Sequence, residues 1–440
     1  MSPQPAAHFI HDFRQAAPYI QYLRGKTVVL AISSQVLLAE RLPTLVQDIQ
    51  LLASLGMRLV LVHGTRHYLD RMLQQSGSEL RYHQGRRITD AAALALVKQA
   101  CGLVRFDIEA ALSATPSQTP DRRNPRLRIA SGNFLLAKPL GVLDGVDMQH
   151  TGSIRRVDHE AIRQRLNEGD VVLVSPLGQS LSGKSFNLGL DEVAAALALS
   201  LQADKLIFLS SEAGVTDAEQ RIISELTSAE ATELLARGHY SSDMTRMLKT
   251  AIHVVENGVR RAHILSGMAD GSLLAELFTR HGHGTMLAQA PFMRIRAADH
   301  RDIGDIIRLI EPLEAAGVLL PRSREYLEAH IGTFSVLEHD CHVYGCVALK
   351  HFADSSSAEL ACLAVSPDAR DSGFGEYLLE YVISQARQQG AHTLFALSTH
   401  TGEWFDERGF QAASLDELPP ERQQQYRANK RASKIYKLAL

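Results

Sequence analysis

A glycine turn between an apolar segment and an amphipathic one carries the clearest chemistry in this sequence. Residues 359–365 are mostly apolar, and an arginine, Arg370, and two glycines, Gly373 and Gly375, follow them. The first turn of a helix offers free N–H groups and the positive end of a dipole, and glycines let phosphate oxygens approach the backbone. A strand, a glycine turn and a helix start in this order predict a pyrophosphate site, to which Arg370 would add a cation.

The residues after the turn support a helix. Apolar side chains recur there at helical spacing, at Leu378, Leu379, Val382, Ile383 and Ala386. A glycine pair before a helix is a weak signal by itself, and an ordinary turn is the alternative. The apolar strand before the turn and the amphipathic helix after it favour the phosphate site.

An arginine followed by Gly373 and Gly375 after an apolar strand resembles the signature of the GNAT acetyltransferase superfamily. The resemblance implies a mixed α/β domain that binds acetyl-CoA, with strand backbone groups pairing with the pantetheine arm and the turn holding the pyrophosphate. Trp404, the sole tryptophan, would pack against the coenzyme or the core. The implied coenzyme site consists of Leu363, Ala364, Val365, Arg370, Asp371, Ser372, Gly373, Phe374, Gly375 and Trp404.

Acetyl transfer to an amine requires one group that accepts a proton from the ammonium and another that protonates the departing thiolate. Glu359 lies on the predicted strand beside the thioester, so its carboxylate is the candidate base, acting directly or through water. Ser398 closes the next predicted strand, residues 393–398, and is the candidate proton donor. A solvated strand-end glutamate and a turn or capping serine are the ordinary alternatives for these two residues.

Length and composition indicate a globular chain with more than one domain. The 440 residues exceed one ordinary core, and a hydrophobic fraction of 45% with 22% charged residues is typical of globular proteins. A formal net charge of −3 gives no electrostatic argument for a nucleic-acid partner. The 4 cysteines form no CxxC pair, so we expect neither a metal site nor disulfides, and a cytoplasmic location fits. The longest apolar run, residues 193–201, is too short to span a bilayer, so no membrane partner is expected.

From Lys26 to about Leu265, β-rich runs alternate with helical patterns. We predict strands at residues 27–32, 59–62, 171–174, 205–209 and 262–265. We predict helices at residues 42–55, 91–111, 161–167, 193–201 and 229–235. This alternation predicts an α/β domain in which helices cover a parallel sheet.

A break near Pro291 separates this domain from a second one, where a strand at residues 293–299 and a helix at about residues 301–310 are predicted. We therefore predict two domains, residues 1–288, including an N-terminal helix at residues 8–24, and residues 292–440. The N-terminal helix carries an apolar stripe interrupted by Pro18, which would pack on its own domain or on a neighbouring subunit. The stripe consists of Phe9, Ile10, Phe13, Ala17, Ile20 and Leu23.

The first domain resembles the amino-acid kinase family, and the N-acetylglutamate kinases in particular. The matching segments are residues 18–29, 61–64, 87–90, 186–194, 262–264 and 276–279. These kinases hold the transferring phosphoryl group with a lysine and glycine-rich loops. The chain has Ala31, Ile32, Ser33, Ser34 and Gln35 at the first of these places, Thr65 and Arg66 at the second, and residues 241–244 without glycine at the third. The departures predict a folded domain without kinase activity, which would serve regulation.

A domain of this kind would retain the binding of a small molecule. In arginine-inhibited members of the kinase family, arginine lies between the N-terminal helix and the end of the sheet. The resemblance puts Tyr19, His263, Glu276 and Gly282 at these positions. A carboxylate such as Glu276 suits a guanidinium ligand. Without the resemblance, His263 would be a satisfied strand-end histidine and Glu276 a solvated helix residue.

An inactive kinase-like domain followed by a GNAT domain resembles, over the whole chain, the bacterial N-acetylglutamate synthases. The resemblance implies acetyl transfer from acetyl-CoA to the α-amino group of L-glutamate, the first step of arginine biosynthesis, with L-arginine as effector and a homohexameric assembly. Glutamate carries two carboxylates, which arginines bind bidentately. The implied glutamate site consists of Arg322, Cys362, Arg422, Arg431 and Ser433. The alternative is an arginine-sensing protein whose acetyltransferase domain uses a different amine.

Overall fold

The computed structural model describes residues 4–38, 42–75, 77, 79, 81–114, 127–238, 240–279, 282–290, 293–339, 342–367, 373–399, 402–428 and 433–440. The chain divides into two compact units, Met1–Ala290 and Pro291–Leu440. Both units are α/β, which confirms the predicted fold class. No helix in the described part of the chain has the length and apolar character needed to cross a membrane.

Helices and strands alternate along the first unit. Its helices are α1 (Gln4–Leu23), α2 (Ser34–Leu38), α3 (Leu42–Ser54), α4 (Arg66–Gln75), α5 (Ala91–Ser113), α6 (His159–Asn167), α7 (Leu190–Leu201), α8 (Ser228–Arg237), α9 (Ser242–Glu256) and α10 (Ser272–Phe278). Its strands are β1 (Thr27–Ile32), β2 (Arg58–His63), β3 (Tyr82–His83), β4 (Arg86–Arg87), β5 (Ile129–Ser131), β6 (Leu135–Pro139), β7 (Val142–Leu143), β8 (Val146–Asp147), β9 (Gly152–Val157), β10 (Val171–Val174), β11 (Leu177–Gln179), β12 (Ser185–Asn187), β13 (Lys205–Ser210), β14 (Glu225–Thr227), β15 (Arg261–Ser266) and β16 (Thr285–Ala288).

The main sheet of the first unit has 8 strands in the order β14-β16-β15-β13-β1-β2-β10-β5. The strands from β15 to β5 run parallel, whereas β16 runs antiparallel to β15. Successive residues of β1 face opposite cores, because Val28 and Leu30 belong to one apolar cluster and Val29 and Ala31 to the other. Burial on both faces explains the continuous apolar runs from which the parallel sheet was predicted.

The N-terminal helix, predicted at residues 8–24, spans Gln4–Leu23 and contains Pro18 in its interior. Pro18 is exposed, so water can solvate the carbonyl group that loses its helical partner. Tyr19 and Leu23 pack into the core of the first unit. Phe9 and Phe13 stack on each other and remain 68% and 58% exposed, so the apolar stripe is buried at one end only.

A second sheet, of order β12-β11-β6-β9, and two hairpins complete the first unit. The sequence predicted none of these strands, because they are short and half-exposed and lack a continuous apolar run. Each hairpin turns through two residues with positive φ, Gln84 and Gly85 in β3–β4 and Asp144 and Gly145 in β7–β8. Tight two-residue hairpin turns require that conformation, and glycine adopts it without strain.

The second unit also combines strands with helices. Its strands are β17 (Met293–Ala297), β18 (Phe334–His339), β19 (His342–Phe352), β20 (Ser357–Val365), β21 (Thr393–Ser398), β22 (Gln411–Ala413) and β23 (Lys434–Ala439). Its α-helices are α11 (Ile303–Ala315), α12 (Arg324–His330), α13 (Phe374–Gln388), α14 (Gly402–Asp406) and α15 (Pro420–Ala428). Short 3₁₀ helices lie at His300–Asp302, Ile331–Thr333, Ala353–Ser355 and Leu415–Glu417.

The strands of the second unit form one sheet of 7 strands in the order β17-β18-β19-β20-β21-β23-β22. Its only parallel pair in the described register is β20 with β21, and that pairing ends where Leu360 meets Ala396. Beyond this point β20 stays beside β19 as far as Val365, and β21 stays beside β23 as far as Ser398. The two strands therefore separate at their carboxyl ends and leave a wedge between them.

Candidate functional site

A cavity of about 70 Å³ lies at the wedge between β20 and β21. β20 contributes Glu359 and Cys362 to its wall, and α15 contributes Arg422. The full lining is Val318, Leu319, Leu320, Arg322, Glu359, Leu360, Ala361, Cys362, Leu397, Arg422, Tyr426 and Ser433. The structure thus brings the candidate base and most of the predicted glutamate site to one place, whereas Arg431 lies outside the described residues.

Glu359 and Arg422 form a bidentate ion pair in this lining. Arg422 Nε donates to Glu359 Oε2 and Arg422 Nη2 donates to Glu359 Oε1, each at 2.8 Å. Both side chains are largely buried, with 9% of Glu359 and 12% of Arg422 exposed. Burial excludes the alternative of a solvated strand-end glutamate, and each charge depends on the other for compensation.

A β-bulge shapes the same strand. The register between β19 and β20 shifts by one residue between Cys346 and Ala348, and Cys362 adopts a positive φ of 54°. A non-glycine residue in this region stores backbone strain of about 1–3 kcal/mol, and such residues cluster at functional sites. The bulge changes the direction of the backbone groups that follow Cys362, where the strand separates from β21.

Arg322 and Ser433 enter the cavity from segments outside the sheet centre. The backbone N–H of Arg322 donates to Glu314 Oε1 at 3.0 Å, and its guanidinium Nη1 donates to the carbonyl of Leu320 at 3.1 Å. The Tyr426 hydroxyl donates to the Ser433 carbonyl at 2.7 Å and so fixes the start of β23 to α15. Two arginines therefore reach one small cavity, an arrangement suited to an acceptor with more than one carboxylate.

Ser398 lies at the end of β21, opposite Lys434 of β23, and is 8% exposed. It falls beyond Ala396, the last residue of β21 that pairs with β20. Ser398 is not among the residues that line the 70 Å³ cavity, although its neighbour Leu397 is. The candidate proton donor is therefore at the mouth of the wedge, and the candidate base is deeper along β20.

The predicted coenzyme residues occupy β20 after the bulge and the start of α13. Leu363, Ala364 and Val365 follow the bulge, in the part of β20 that no longer pairs with β21. Gly373 precedes α13 with a φ of 72°, so glycine suits this position for its backbone conformation. Phe374 and Gly375 begin the helix, while Arg370, Asp371 and Ser372 lie outside the described residues.

Trp404 lies beside the first turn of α13. A Cβ atom on Gly375 would be 3.7 Å from the Trp404 ring, which is ordinary van der Waals contact. The guanidinium of Arg408 lies 4.3 Å from the centre of the same ring, and Phe405 packs edge-on against it at 5.1 Å. Trp404 is therefore held by the core at the edge of the predicted pyrophosphate turn.

A buried charged cluster in the first unit contains two of the predicted arginine-site residues. His263 Nδ1 lies 2.6 Å from Glu276 Oε1, and Lys205 Nζ lies 3.1 Å from His263 Nε2. Burial and the positive charge of Lys205 lower the pKa of His263 to about 4. Burial alone would raise the pKa of Glu276, but hydrogen bonds and charge from His263 and the N–H of His283 lower it to about 2. Glu276 is thus an ionised, buried carboxylate and is not a solvated helix residue.

Gly282 adjoins this cluster, and Tyr19 lies on a helix that packs against the helix of Glu276. Gly282 has a φ of 62°, and a Cβ atom there would lie 2.7 Å from Glu276 Oε2. That oxygen already accepts the backbone N–H groups of His283 at 2.6 Å and Gly284 at 3.2 Å. Tyr19 lies in α1, which packs against α10, the helix that carries Glu276. The residues of the predicted arginine-binding site therefore come from α1, β15, α10 and the segment after α10.

A larger cleft of about 450 Å³ opens at the carboxyl ends of β1 and β2, and Ser33, Ser34 and Gln35 line it at the first of the places where the kinases hold phosphate. The turn after β1 is tied to α4, because Ser34 Oγ and His67 Nδ1 lie 2.8 Å apart. Gly64 is required beside this turn, because a Cβ atom there would lie 2.8 Å from the Ser34 nitrogen. The arginines of the cleft bind carboxylates of the unit itself: Arg66 pairs with Asp243, Arg246 with Asp191 and Asp243, Arg86 with Glu192, and Arg87 with Asp70.

Two contacts were not predicted from the sequence. Lys205 lies 58 positions before its partner His263, and Arg422 lies 63 positions after Glu359. The sequence around Lys205 and His263 does not indicate that they are close. Their contact follows from the parallel pairing of β13 with β15, in which His263 lies opposite Ile207, two residues after Lys205. The resemblance pointed to Arg422 as a ligand of substrate, and nothing in its sequence surroundings pointed to Glu359.

Comparison with known proteins identifies the class of both units. The sequence profile of the Amino acid kinase family matches residues 26–266, and that of the Acetyltransferase (GNAT) family matches residues 303–410. The chain thus joins an amino acid kinase domain to a GNAT acetyltransferase domain. Over 427 residues it is 49% identical to the amino-acid acetyltransferase of Neisseria meningitidis serogroup A, covering 97% of each chain. The chain belongs to the amino-acid acetyltransferase family.

Further relatives agree with this assignment. The amino-acid acetyltransferase of Yersinia enterocolitica is 44% identical over 431 residues, covering 97% of this chain and 98% of that protein. A crystal structure of N-acetylglutamate synthase from Neisseria gonorrhoeae complexed with coenzyme A and L-arginine is 47% identical, with a TM-score of 0.92, and covers 98% of this chain and 99% of that one. The same protein complexed with coenzyme A and N-acetyl-glutamate superposes with a TM-score of 0.64 at 48% identity and the same coverage.

Proposed function

We propose that this chain transfers the acetyl group of acetyl-CoA to the α-amino group of L-glutamate, as the first step of arginine biosynthesis. The observation that carries the proposal is the cavity between β20 and β21, in which Glu359 lies with Arg322 and Arg422. A base beside two arginines suits an amine that carries two carboxylates. The names of the relatives, amino-acid acetyltransferase and N-acetylglutamate synthase, support the same reaction.

The residues of the second unit would divide the reaction among them. Glu359 takes a proton from the α-ammonium, directly or through water, and the amine then attacks the carbonyl carbon of the thioester. A backbone N–H of β20 beyond the bulge stabilises the oxyanion of the tetrahedral intermediate. The C–S bond then breaks, and Ser398 protonates the thiolate, whose thiol has a pKa of about 8.5 by analogy with cysteine. Arg322, Arg422, Arg431, Ser433 and Cys362 hold glutamate, and the coenzyme residues hold acetyl-CoA.

Release of free thiol from acetyl-CoA tests the proposal. We expect release with L-glutamate as acceptor, and much less with L-aspartate, L-glutamine or L-lysine at the same concentration. Mass spectrometry of the glutamate reaction should then show N-acetylglutamate. No thiol release with glutamate would refute the proposal, and release with another amine alone would favour an arginine-sensing protein with a different acceptor.

We also propose that the first unit, within predicted residues 1–288, is a kinase domain without kinase activity. Its cleft has Ser33, Ser34 and Gln35 where the kinases have a lysine and paired glycines after the first strand, and its arginines are paired with its own carboxylates. We expect no ADP when the chain is mixed with ATP, Mg²⁺ and N-acetylglutamate. ADP formation that saturates with N-acetylglutamate would contradict this assignment.

L-Arginine is the effector that we propose for the first unit. The Lys205, His263 and Glu276 cluster supports a site for it, because Glu276 is an ionised buried carboxylate that can accept guanidinium N–H groups. A relative was crystallised with arginine. Titration calorimetry should give a binding isotherm for L-arginine, and saturating arginine should change the rate of acetyl transfer. Neither heat nor a change in rate would refute this role.

Assembly as a homohexamer and a cytoplasmic location complete the proposal. The hexamer follows from the family resemblance, and sedimentation of the purified chain tests it, because a monomer or dimer would contradict it. The location is supported by Cys101, Cys346 and Cys362, which are free thiols, as is usual in a reducing compartment. Cell fractionation would reveal a different location.

A further inference from the structure

The bidentate ion pair between Glu359 and Arg422 occupies the residues that the reaction would need for two different tasks. We propose that a carboxylate of the acceptor must displace Glu359 from Arg422 before Glu359 can act as the base. The inference rests on the proposed function, and adds to it a condition under which the base becomes active. Acceptor recognition and base activation would then be one event.

The pair occupies both carboxylate oxygens of Glu359 and one bidentate edge of Arg422. Both carboxylate oxygens of Glu359 accept from Arg422 at 2.8 Å, through the Nε and Nη2 edge of the guanidinium. That edge is one of those that bind a carboxylate bidentately, so a substrate carboxylate would compete with Glu359 for it. The pair also bridges elements far apart in the chain, since Glu359 lies on β20 and Arg422 on α15.

Charge compensation explains why the pair must open. When Glu359 accepts a proton from the ammonium, its carboxylate becomes neutral. If Arg422 were still its partner, a guanidinium that is 12% exposed would be left without a counter-ion. An uncompensated buried charge is costly, so proton transfer within the closed pair is disfavoured. A substrate carboxylate on Arg422 removes this cost, because it replaces the negative charge that Glu359 loses.

The atoms and charges balance in the opened arrangement. The acceptor's carboxylate binds Arg422, and Glu359 accepts one proton from the α-ammonium. The neutral amine attacks the thioester carbonyl carbon and forms the C–N bond of a tetrahedral intermediate, and the C–S bond then breaks so that the thiolate leaves with the bonding pair. Ser398 protonates the thiolate, and the second proton that the nitrogen loses as the amide forms restores the Ser398 hydroxyl. An amine that lacks the carboxylate would find Glu359 still paired. Selectivity for an acceptor that places a carboxylate on Arg422 would therefore arise in the proton-transfer step as well as in binding.

A double-mutant cycle on the full chain tests the displacement. The probe is N-acetylglutamate, titrated by calorimetry into protein saturated with coenzyme A, because its amide carries no ammonium that Glu359 could attract. We expect Glu359→Gln to tighten binding of the probe by about tenfold, since the competing charged hydrogen bonds are lost. In an Arg422→Gln background the same change should have no such effect, because the gain acts through Arg422.

A gain of equal size in both backgrounds would reveal simple charge repulsion and would overturn the proposal, as would an absent gain. Glu421→Gln is the matched control, because Glu421 lies beside Arg422 on α15 but pairs with Lys350 at an exposed site.

If Glu359→Gln does not fold, a crystal structure of the wild-type chain with coenzyme A and N-acetylglutamate decides the question. A ligand carboxylate should then occupy the Nε and Nη2 edge of Arg422, and an intact Glu359–Arg422 pair would overturn the proposal. Absence of any binding by the wild type would instead refute the proposed function itself.

Discussion

At the scale of single residues, Glu359 and Glu276 follow the same physical rule. Each is a carboxylate buried in its unit, and each is compensated by a cation, Arg422 for Glu359 and Lys205 through His263 for Glu276. A buried charge is retained only where partners are supplied, so the proposed ligand of each site would have to replace an internal partner of the carboxylate. A substitution at either place should therefore change ligand binding or turnover.

The first residue-scale prediction concerns Glu359. Glu359→Ala should lower kcat for acetyl transfer to glutamate by about 10²–10⁴-fold, the usual contribution of a general base. The effect on the KM for glutamate should be smaller than that on kcat. Steady-state kinetics with Glu421→Ala as the control measures both parameters. An unchanged kcat in Glu359→Ala would remove this residue from the mechanism.

The second residue-scale prediction concerns Gly282, whose φ is 62° and whose Cβ would meet Glu276 Oε2 at 2.7 Å. Gly282→Ala should weaken arginine binding, because the new methyl group displaces the Glu276 carboxylate. Gly238→Ala is a matched control, with a similar φ of 59° and no atom within 4 Å of its Cβ. Both variants should lose about 1–2 kcal/mol of stability from the positive φ. Equal arginine affinity in the two variants, measured by calorimetry, would count against a site at Gly282.

At the scale of elements, the ends of parallel strands determine where chemistry can occur. In the second unit, β20 and β21 pair only as far as Leu360 and Ala396, and the bulge at Cys362 follows two residues later on β20. The wedge admits a ligand between two strands without breaking the rest of the sheet. In the first unit, β2 and β15 carry His63 and His263 in the interior, where neither side chain is exposed by more than 1%.

These two strand histidines predict an acid sensitivity of the first unit. Burial lowers the pKa of His63 to about 4, and burial with the charge of Lys205 lowers that of His263 to about 4, against 6.5 in the unfolded chain. Between these pH values the unfolded chain binds more protons than the folded one. The contribution of the two histidines to the free energy of unfolding is therefore fully present above pH 6.5 and is lost as the pH falls towards 4. Protonation linked to each histidine should lower the free energy of unfolding by about 3 kcal/mol over that pH range.

Urea unfolding between pH 7.5 and pH 4.5 measures this dependence on the full chain. The free energy of unfolding should decrease towards acid, and His63→Gln should reduce the slope because one of the two titrating groups is removed. Arginine binding should persist in this variant, since His63 contacts Ser175 and is not part of the Glu276 cluster. A slope identical to that of the wild type would show that His63 does not titrate as predicted.

At the scale of the whole molecule, two units with separate cores carry the proposed roles. The apolar clusters of the first unit and those of the second contain no common residues. Domains with their own cores generally fold by themselves. The proposed chemistry and the proposed arginine site therefore lie in different units of one chain.

This separation predicts the behaviour of the second unit alone. A chain of residues 291–440 should fold, which circular dichroism and a cooperative thermal transition would establish. It should retain acetyl transfer to glutamate, because the cavity residues and the wedge all lie within it. The rate should no longer respond to arginine, in contrast to the full chain assayed in parallel. An arginine response in the isolated unit would place the effector site in the second unit.

Sequence alone determined the features that depend on short-range order. Apolar runs predicted β1, β2, β10, β13 and β15 within one or two residues, because burial on both faces of a parallel sheet leaves a strong local signal. Glycine spacing predicted the start of α13, and the order of motifs identified both families. Local signals failed for β3 to β9, β11 and β12, which are short strands without a continuous apolar run.

The tertiary structure alone decided which charges face each other. Arg422 and Glu359 are 63 positions apart, and Lys205 and His263 are 58 positions apart, so neither pair leaves a pattern in the sequence. Their contact depends on the order of strands in the sheet, on the register between them and on where α15 packs. Residue types and spacing therefore identified the candidate groups, whereas burial and strand order decided that the candidate base is held by an arginine of its own cavity.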